Sequence, residues 1–163
     1  DFICFGRPDV TAVVVDATCL ERNLNLVLQV LEITGRVVVC VNLLDEAKRK
    51  GTRINLDKLS KELGVPVIGT TARKRIGLDK LKQAVEKIAE GKVPVKPAVI
   101  HYEPDIEEKV KNIISGLSPE ICTSFNPRWL ALRILEGDQT IFEALGQKIN
   151  YTIPLDNEEE VRR

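Results

Sequence analysis

Polar and small residues follow two apolar runs of the sequence, at positions where they could bind a purine base. Asn42 and Asp45 flank two leucines directly after the valine-rich run 36–41, and Thr71-Ala72-Arg73 follows the next run, 65–68. A carboxylate at such a strand end can accept hydrogen bonds from both the ring N–H and the exocyclic amine of guanine, an edge that adenine does not present. A small residue in the second loop lets a backbone N–H approach the guanine carbonyl oxygen. Together the loops predict the base-recognition half of a guanine-nucleotide site, with Asn42 bracing them.

A structural interpretation of the same residues stays open. Asn42 at the N-cap and Asp45 in the first turn would favour an ordinary helix start, because both residue types stabilise the positive end of a helix. Thr71 would then belong to an ordinary turn, and Lys74-Arg75 is typical of a solvated charged loop. Two loops suited to two edges of one base are nevertheless more specific than either loop alone.

The sequence contains no phosphate-binding motif. Neither G-x-x-x-x-G-K-[ST] nor D-x-x-G occurs in its 163 residues. Catalysis of GTP hydrolysis consists mostly of phosphate positioning and charge stabilisation, so we expect no hydrolysis by this chain alone and weak or absent affinity for GTP and GDP. Asp16 has the residue type of a magnesium ligand, but with Thr18 it lies between a strand and a helix, where a structural role is expected. We assign no catalytic residue and no metal ligand, and expect Mg²⁺ only with a missing N-terminal half.

Composition excludes several other classes of function. The four cysteines form no C-x-x-C pair and His101 is the only histidine, which excludes a zinc site of ordinary spacing and favours free thiols. Lys plus Arg and Asp plus Glu both number 24, so no excess of charge favours nucleic acid. Trp129 lies among leucines at helical spacing and is predicted to be a core residue. No apolar run approaches the roughly 20 residues that span a bilayer.

Strand-like and helix-like patterns alternate along the first part of the chain. Continuous apolar runs at 10–15, 36–41 and 65–68 are typical of parallel strands buried on both faces. Apolar residues at helical spacing predict helices over 20–31, 43–50, 56–63 and 78–91. A capping box beginning at Thr18 and an N-cap at Asn55 mark two of the helix starts. The alternation predicts an α/β fold of three parallel strands with flanking helices.

Beyond residue 92 the pattern is helical only. Residues 93–99 contain two prolines and are predicted to form an extended linker. Helices are predicted at 104–114, after Asn126-Pro127, and around Ile141 and Leu145, with a charged, solvated tail at 156–163. We therefore divide the chain into an α/β domain, 1–92, and a linker with a small all-helical domain, 93–163.

The motifs, taken in order, resemble those of the ferrous iron transport protein B family. The segments that carry the resemblance are 13–18, 20–24, 42–47, 63–67, 71–73, 128–131 and 135–138. Asn42-Leu43-Leu44-Asp45-Glu46-Ala47 is similar to the guanine-specificity motif of that family, in which an apolar residue replaces the lysine of small GTPases. Thr71-Ala72-Arg73 is similar to its last base-contacting loop, and the last two segments are similar to its helical spacer domain.

The resemblance implies a fold and a function. The α/β part would be a truncated P-loop-GTPase-like domain that lacks the phosphate loop and switch segments, and the parent would be a bacterial iron(II) membrane transporter that this cytoplasmic region regulates. Asn42, Leu43, Asp45 and the segment Thr71-Ala72-Arg73 carry over as guanine-binding positions. The implied partners are a guanine nucleotide and the membrane domain of the same polypeptide. The implied location is the cytoplasmic face of the inner membrane, with the fragment itself soluble.

Two other hypotheses compete with this one. The chain could be a stand-alone α/β interaction module that has lost nucleotide binding. It could also be an unrelated α/β regulator, which predicts that Asn42 and Asp45 lie far from the Thr71 loop. If the first strand lacks a neighbour, its free edge predicts self-association, or coverage by residues 1–6.

Overall fold

The computed structural model describes residues 2–138 and Ile141. The chain divides into two compact units, Asp1–Ile100 and His101–Arg163. The helices of the first unit are α1 (Phe2–Gly6), α2 (Leu20–Ile33), α3 (Leu44–Arg49), α4 (Leu56–Leu63) and α5 (Leu78–Ala89). Its strands are β1 (Thr11–Asp16), β2 (Val37–Asn42) and β3 (Val67–Gly69), and 3-10 turns lie at Ala17–Cys19 and Ala72–Lys74. The second unit contains α6 (Pro104–Gly116), α7 (Pro119–Ser124) and α8 (Pro127–Leu135).

The three strands form one parallel sheet in the order β1-β2-β3, which confirms the predicted α/β fold with flanking helices. Each strand begins and ends slightly later than its apolar run. Asp16 and Asn42 are therefore the last residues of β1 and β2, and they lie opposite each other in the sheet register. The polar residues thus lie at the carboxyl edge of the sheet, where open α/β folds bind ligands.

The two faces of the sheet are not covered equally. Residues 37–41 of β2 are all buried, and one apolar cluster joins valines of β1 and β2 to Val27, Val30 and Leu31 of α2. On the opposite face α5 packs against β2. In β1 only alternate residues are buried, and Val14 is 61% exposed. The prediction of burial on both faces is therefore right for β2 and wrong for β1. The reason is that α5, which packs against β2, leaves Val14 of β1 in solvent.

Helix starts in the first unit use side chains that differ in part from those predicted. Asn55 caps α4 by accepting a hydrogen bond from the Lys58 N–H at 2.9 Å, as expected. Thr18 does not cap α2. Asp16 instead accepts from the Thr18 N–H at 2.7 Å and begins a 3-10 turn that precedes α2. The capping-box prediction was wrong because an additional turn separates the strand from the helix.

The extended segment after α5 packs on the first unit. The Lys96 N–H donates to the Gly64 carbonyl at 3.1 Å, and the Ala98 N–H donates to the Leu63 carbonyl at 2.9 Å. Gly64 has a φ of +68°, and a Cβ there would lie 1.7 Å from the Lys96 carbonyl oxygen. Only glycine fits both the left-handed backbone and this close approach.

The second unit is built on α6 and α8. Val110 of α6 is buried with Ala131 and Leu132 of α8, and Asn126 caps α8 ahead of Pro127 as predicted. Trp129 is 6% exposed, which confirms its prediction as a core residue. The short helix α7 was not predicted. Except for Ile141, the predicted helix around Ile141 and Leu145 and the charged tail 156–163 lie outside the described residues. Across residues 2–138, no helix has the length and apolarity that crossing a bilayer requires.

Candidate functional site

The loops after β2 and β3 are joined by the side chain of Asn42. Its Oδ1 accepts a hydrogen bond from the Ala72 N–H and another from the Thr70 hydroxyl, both at 3.0 Å. The N-cap residue of α3 is Leu43, and no side chain caps that helix. The helix-cap interpretation of Asn42 is therefore wrong, and its predicted bracing of the two loops is confirmed. The contact also contradicts the hypothesis that the two loops lie far apart.

Thr70 anchors this connection in the protein interior, a role that was not predicted from the sequence. It is 1% exposed, its N–H donates to the Val41 carbonyl at 2.8 Å, and its carbonyl accepts from the Leu44 N–H at 3.3 Å. Its hydroxyl also lies 3.3 Å from the Cys40 thiol sulfur. The sequence did contain a signal for this role: Thr70 is a hydroxyl residue at the end of an apolar strand, where a buried polar group needs hydrogen-bond partners.

Asp45 lies in the first turn of α3 and forms an ion pair with the second loop. Its Oδ1 accepts from the Glu46 N–H at 3.1 Å, and its Oδ2 lies 2.9 Å from the Lys74 ammonium nitrogen. The Lys74 hydrogen bond holds the pKa of the Asp45 carboxyl below its usual value, so the group is an ionised acceptor at neutral pH. Lys74 lies in an exposed charged loop, as the solvated-loop interpretation predicts. Its side chain is half exposed, but its charged end contacts the carboxylate.

Leu43 links the two polar residues through a backbone conformation that is rare outside glycine. Its φ and ψ are 63° and 31°, in the left-handed region. The conformation is held from both sides, because Asn42 bonds to the second loop and the Leu44 N–H bonds to Thr70. Such backbone strain persists where the surrounding contacts determine it, and it is frequent at ligand sites.

The second loop is closed on itself. Thr71 and Ile76 exchange backbone hydrogen bonds of 3.1 and 3.3 Å, and between them the Ala72–Lys74 turn presents exposed side chains, including Arg73. Thr71 is buried at 6% exposure. Gly77 ends the loop with a φ of +83°, and a Cβ there would lie 2.2 Å from the Gly69 carbonyl oxygen. The loop is therefore tied at its base and held against Asn42.

Asp16, at the carboxyl end of the neighbouring strand, has a structural role. Its carboxylate caps the Ala17–Cys19 turn, and hydrogen bonds from Thr18 lower its pKa. Across residues 2–138 and Ile141 no three side chains of the metal-ligating types lie close enough to hold an ion.

Two family models match parts of this chain. Residues 1–85 match a family model described as ferrous iron transport protein B, and residues 102–162 match one described as the FeoB cytosolic helical domain. The Fe(2+) transporter FeoB of Escherichia coli K12 is 35% identical over 137 residues, which are 84% of this chain and 17% of that protein. An iron transport protein A/FeoB fusion from Porphyromonas gingivalis is 33% identical over 145 residues, 87% of this chain and 17% of that protein.

Solved structures of the same family share the fold. The cytosolic domain of the T. maritima FeoB iron transporter in a GDP form has a TM-score of 0.79 at 26% identity, covering 99% of this chain and 62% of that one. A GDP-bound mutant of S. thermophilus NFeoB has a TM-score of 0.77 at 33% identity, covering 89% and 55%. The chain spans about a sixth of the length of the curated relatives it matches. It belongs to the family of ferrous iron transport protein B and contains G-domain and helical-domain regions of that family.

Proposed function

We propose that this chain is part of the cytoplasmic GTP-binding regulatory region of a bacterial iron(II) membrane transporter, and that it supplies the guanine-specificity half of the nucleotide site. The family membership and the names of the relatives support the transporter assignment. The GDP-bound forms of the structural relatives support a guanine nucleotide as the ligand.

The observation that carries the proposal is the junction of the two loops. Asn42 holds the Ala72 backbone at 3.0 Å, while Asp45 places an ionised carboxylate beside the same loop. The loops after β2 and β3 are thereby fixed at one edge of the sheet. The loop after β2 carries the Asp45 carboxylate as a hydrogen-bond acceptor, and the loop after β3 carries the start of the Ala72–Lys74 turn. In that loop the Thr71 N–H donates to Ile76 and the Ala72 N–H donates to Asn42, which leaves the Arg73 N–H as the candidate donor to a base.

This arrangement can discriminate guanine from adenine by hydrogen bonding. The Asp45 carboxylate would accept the ring N–H and the exocyclic amine of guanine, and the loop Thr71-Ala72-Arg73 would donate a backbone N–H to its carbonyl oxygen. Leu43 would contribute an apolar contact to the base. Adenine offers a ring acceptor where guanine offers a donor, so a carboxylate facing it would lose its partner, at a cost of about 1–3 kcal/mol.

The chain alone is not expected to hydrolyse GTP. Hydrolysis requires groups that position the phosphates and their charge, and the sequence contains no phosphate loop for this task. Affinity for GTP and GDP would therefore be weak, and Mg²⁺ would join only with phosphate-binding residues outside this sequence. We place the chain at the cytoplasmic face of the inner membrane, where the membrane domain of the same polypeptide would be its partner.

We also propose that the chain can self-associate through β1. Among the described residues this strand pairs only with β2, and Val14 is 61% exposed beside the free edge. Strands with an unpaired edge and exposed apolar side chains readily pair with a second copy. Sedimentation velocity should show a dimer that Val14→Lys shifts to monomer. A wild-type chain that stays monomeric at high concentration would refute this.

The guanine assignment is tested by titrating the ¹⁵N-labelled chain with GMP and with AMP. GMP should shift the amide resonances of Asn42, Leu43, Asp45 and Thr71-Ala72-Arg73, with an affinity about tenfold or more above that of AMP, as one unpaired acceptor implies. Equal shifts by both nucleotides would refute the guanine specificity, whereas no shift at this edge of the sheet would favour a module that has lost nucleotide binding.

A further inference from the structure

The ion pair between Lys74 and Asp45 lies on the atoms that the guanine base must use. We propose that Lys74, 2.9 Å from Asp45 Oδ2, is an intramolecular competitor of the guanine base that lowers the affinity of the site. The inference rests on the proposed function, since it assigns a further affinity-determining residue to the same site.

The position of Lys74 is fixed by the loop that carries it. It is the last residue of the Ala72–Lys74 turn, and its N–H donates to the Thr71 carbonyl at 2.9 Å. The turn is held at its start by the Ala72–Asn42 hydrogen bond and beyond its end by the Thr71–Ile76 pairing. The Lys74 ammonium group therefore reaches Asp45 from a backbone that is already tied to the same sheet edge. The tie is at Asn42, three residues before Asp45 in the chain.

Both carboxylate oxygens of Asp45 already have a donor while this contact exists. The Glu46 N–H occupies Oδ1 at 3.1 Å, Lys74 occupies Oδ2, and the side chain is only 22% exposed. Guanine would present two neutral donors to these oxygens, whereas Lys74 presents a cation. Both contacts are charge-assisted, but only Lys74 brings a full opposite charge, so the base has to displace or share a favourable contact when it binds.

The contact differs from the neutral link between the loops. Asn42 and Ala72 need not separate when a base binds to Asp45, because neither atom of that hydrogen bond belongs to the carboxylate. The Lys74–Asp45 contact must open or be shared. The coupling is reciprocal. Base binding would weaken the Lys74–Asp45 contact by the same free energy by which that contact weakens base binding.

Lys74→Met tests the competition, because it removes the ammonium group and keeps an unbranched stem. Half-exposed ion pairs are weak, so we expect GMP affinity to rise about two- to fivefold, with AMP affinity unchanged. Arg75→Gln is the matched control: it removes one positive charge from the same loop at a residue with no ion pair in the described part of the chain. It should leave GMP affinity unchanged.

A measurement without nucleotide separates this inference from the proposed function. The carboxyl ¹³C resonance of Asp45 should titrate at higher pH in Lys74→Met than in the wild type, and at the wild-type pH in Arg75→Gln. An unchanged Asp45 titration in Lys74→Met would show that the ion pair does not form and would overturn the inference. GMP affinity that is unchanged or lower in Lys74→Met, with the wild type still preferring GMP to AMP, would overturn it while leaving the proposed function intact. A wild type without preference for GMP would overturn both.

Discussion

The polar side chains at the sheet edge of the first unit and those of the second unit are held by different forces. In the first unit, the Asn42 carboxamide contacts the Thr70 hydroxyl and the Ala72 N–H, and Thr70 is almost fully buried. In the second unit, two ionised groups form a two-pronged contact: Arg128 donates to both oxygens of Glu107, at 2.6 and 2.7 Å. The first arrangement should be insensitive to pH, whereas the second depends on the charge of one carboxylate.

The difference indicates what each region needs. A site that recognises a base requires fixed loops and one ionised acceptor, so neutral hydrogen bonds hold the loops and leave Asp45 as the charged group. The second unit ties its entry segment to α6 and α8 instead, because Glu107 also accepts from the Tyr102 N–H at 2.8 Å. A partly buried ion pair is sufficient there, since α6 and α8 also share an apolar core.

The largest loss of stability should come from a substitution in the apolar core of the second unit. Leu132→Ala would remove a side chain that packs with Val110 and Ala131, and it should lower the free energy of unfolding by about 2–5 kcal/mol. Urea unfolding followed by the fluorescence of Trp129, the only tryptophan, measures this change. Lys111→Ala, on the exposed face of α6, should stay within about 0.5 kcal/mol of the wild type. Equal effects of the two substitutions would contradict the described core.

A smaller loss is expected when the link between the loops is removed. Asn42→Ala would leave the Ala72 N–H and the buried Thr70 hydroxyl without their shared acceptor, at a cost of about 1–3 kcal/mol. Circular dichroism during urea unfolding provides the measurement. Asn25→Ala, at an exposed position of α2, should be neutral or slightly stabilising because alanine favours the helix. If Asn42→Ala were equally harmless, Asn42 would not brace the loops.

The pH dependence of the second unit sharpens the contrast. The Arg128 guanidinium lowers the pKa of Glu107 from its ordinary value of 4.5 to about 2. Because the folded pKa is the lower one, the contribution of Glu107 to stability is complete above pH 4.5 and is lost as the pH falls toward 2. Glu107→Gln should remove this part of the acid destabilisation. Thermal unfolding of both proteins between pH 6 and pH 2 tests it, and parallel curves would contradict the ion pair.

How much of this could be predicted from the sequence depended on the range of the interactions. The three strands, the Asn55 cap and the core position of Trp129 follow from local patterns, and all were predicted correctly. The exposure of the Val14 side chain was not predicted, because the same run of valines can form either a central strand or an edge strand. Thr70 and Lys74 were missed because their partners, Asn42 and Asp45, lie about thirty residues earlier in the chain. Only the folded sheet brings those loops together.

The most direct test of the account is the base preference of Asp45→Asn. Xanthine carries a carbonyl oxygen where guanine carries its exocyclic amine, and an asparagine amide can donate to that oxygen where a carboxylate cannot. NMR titrations with GMP and XMP should therefore show that the wild type prefers GMP and that Asp45→Asn prefers XMP. Asp79→Asn, at an exposed position of α5, serves as the control and should keep the wild-type preference. An Asp45→Asn protein that binds GMP as well as the wild type does would contradict the assignment of Asp45 as the guanine-recognising residue.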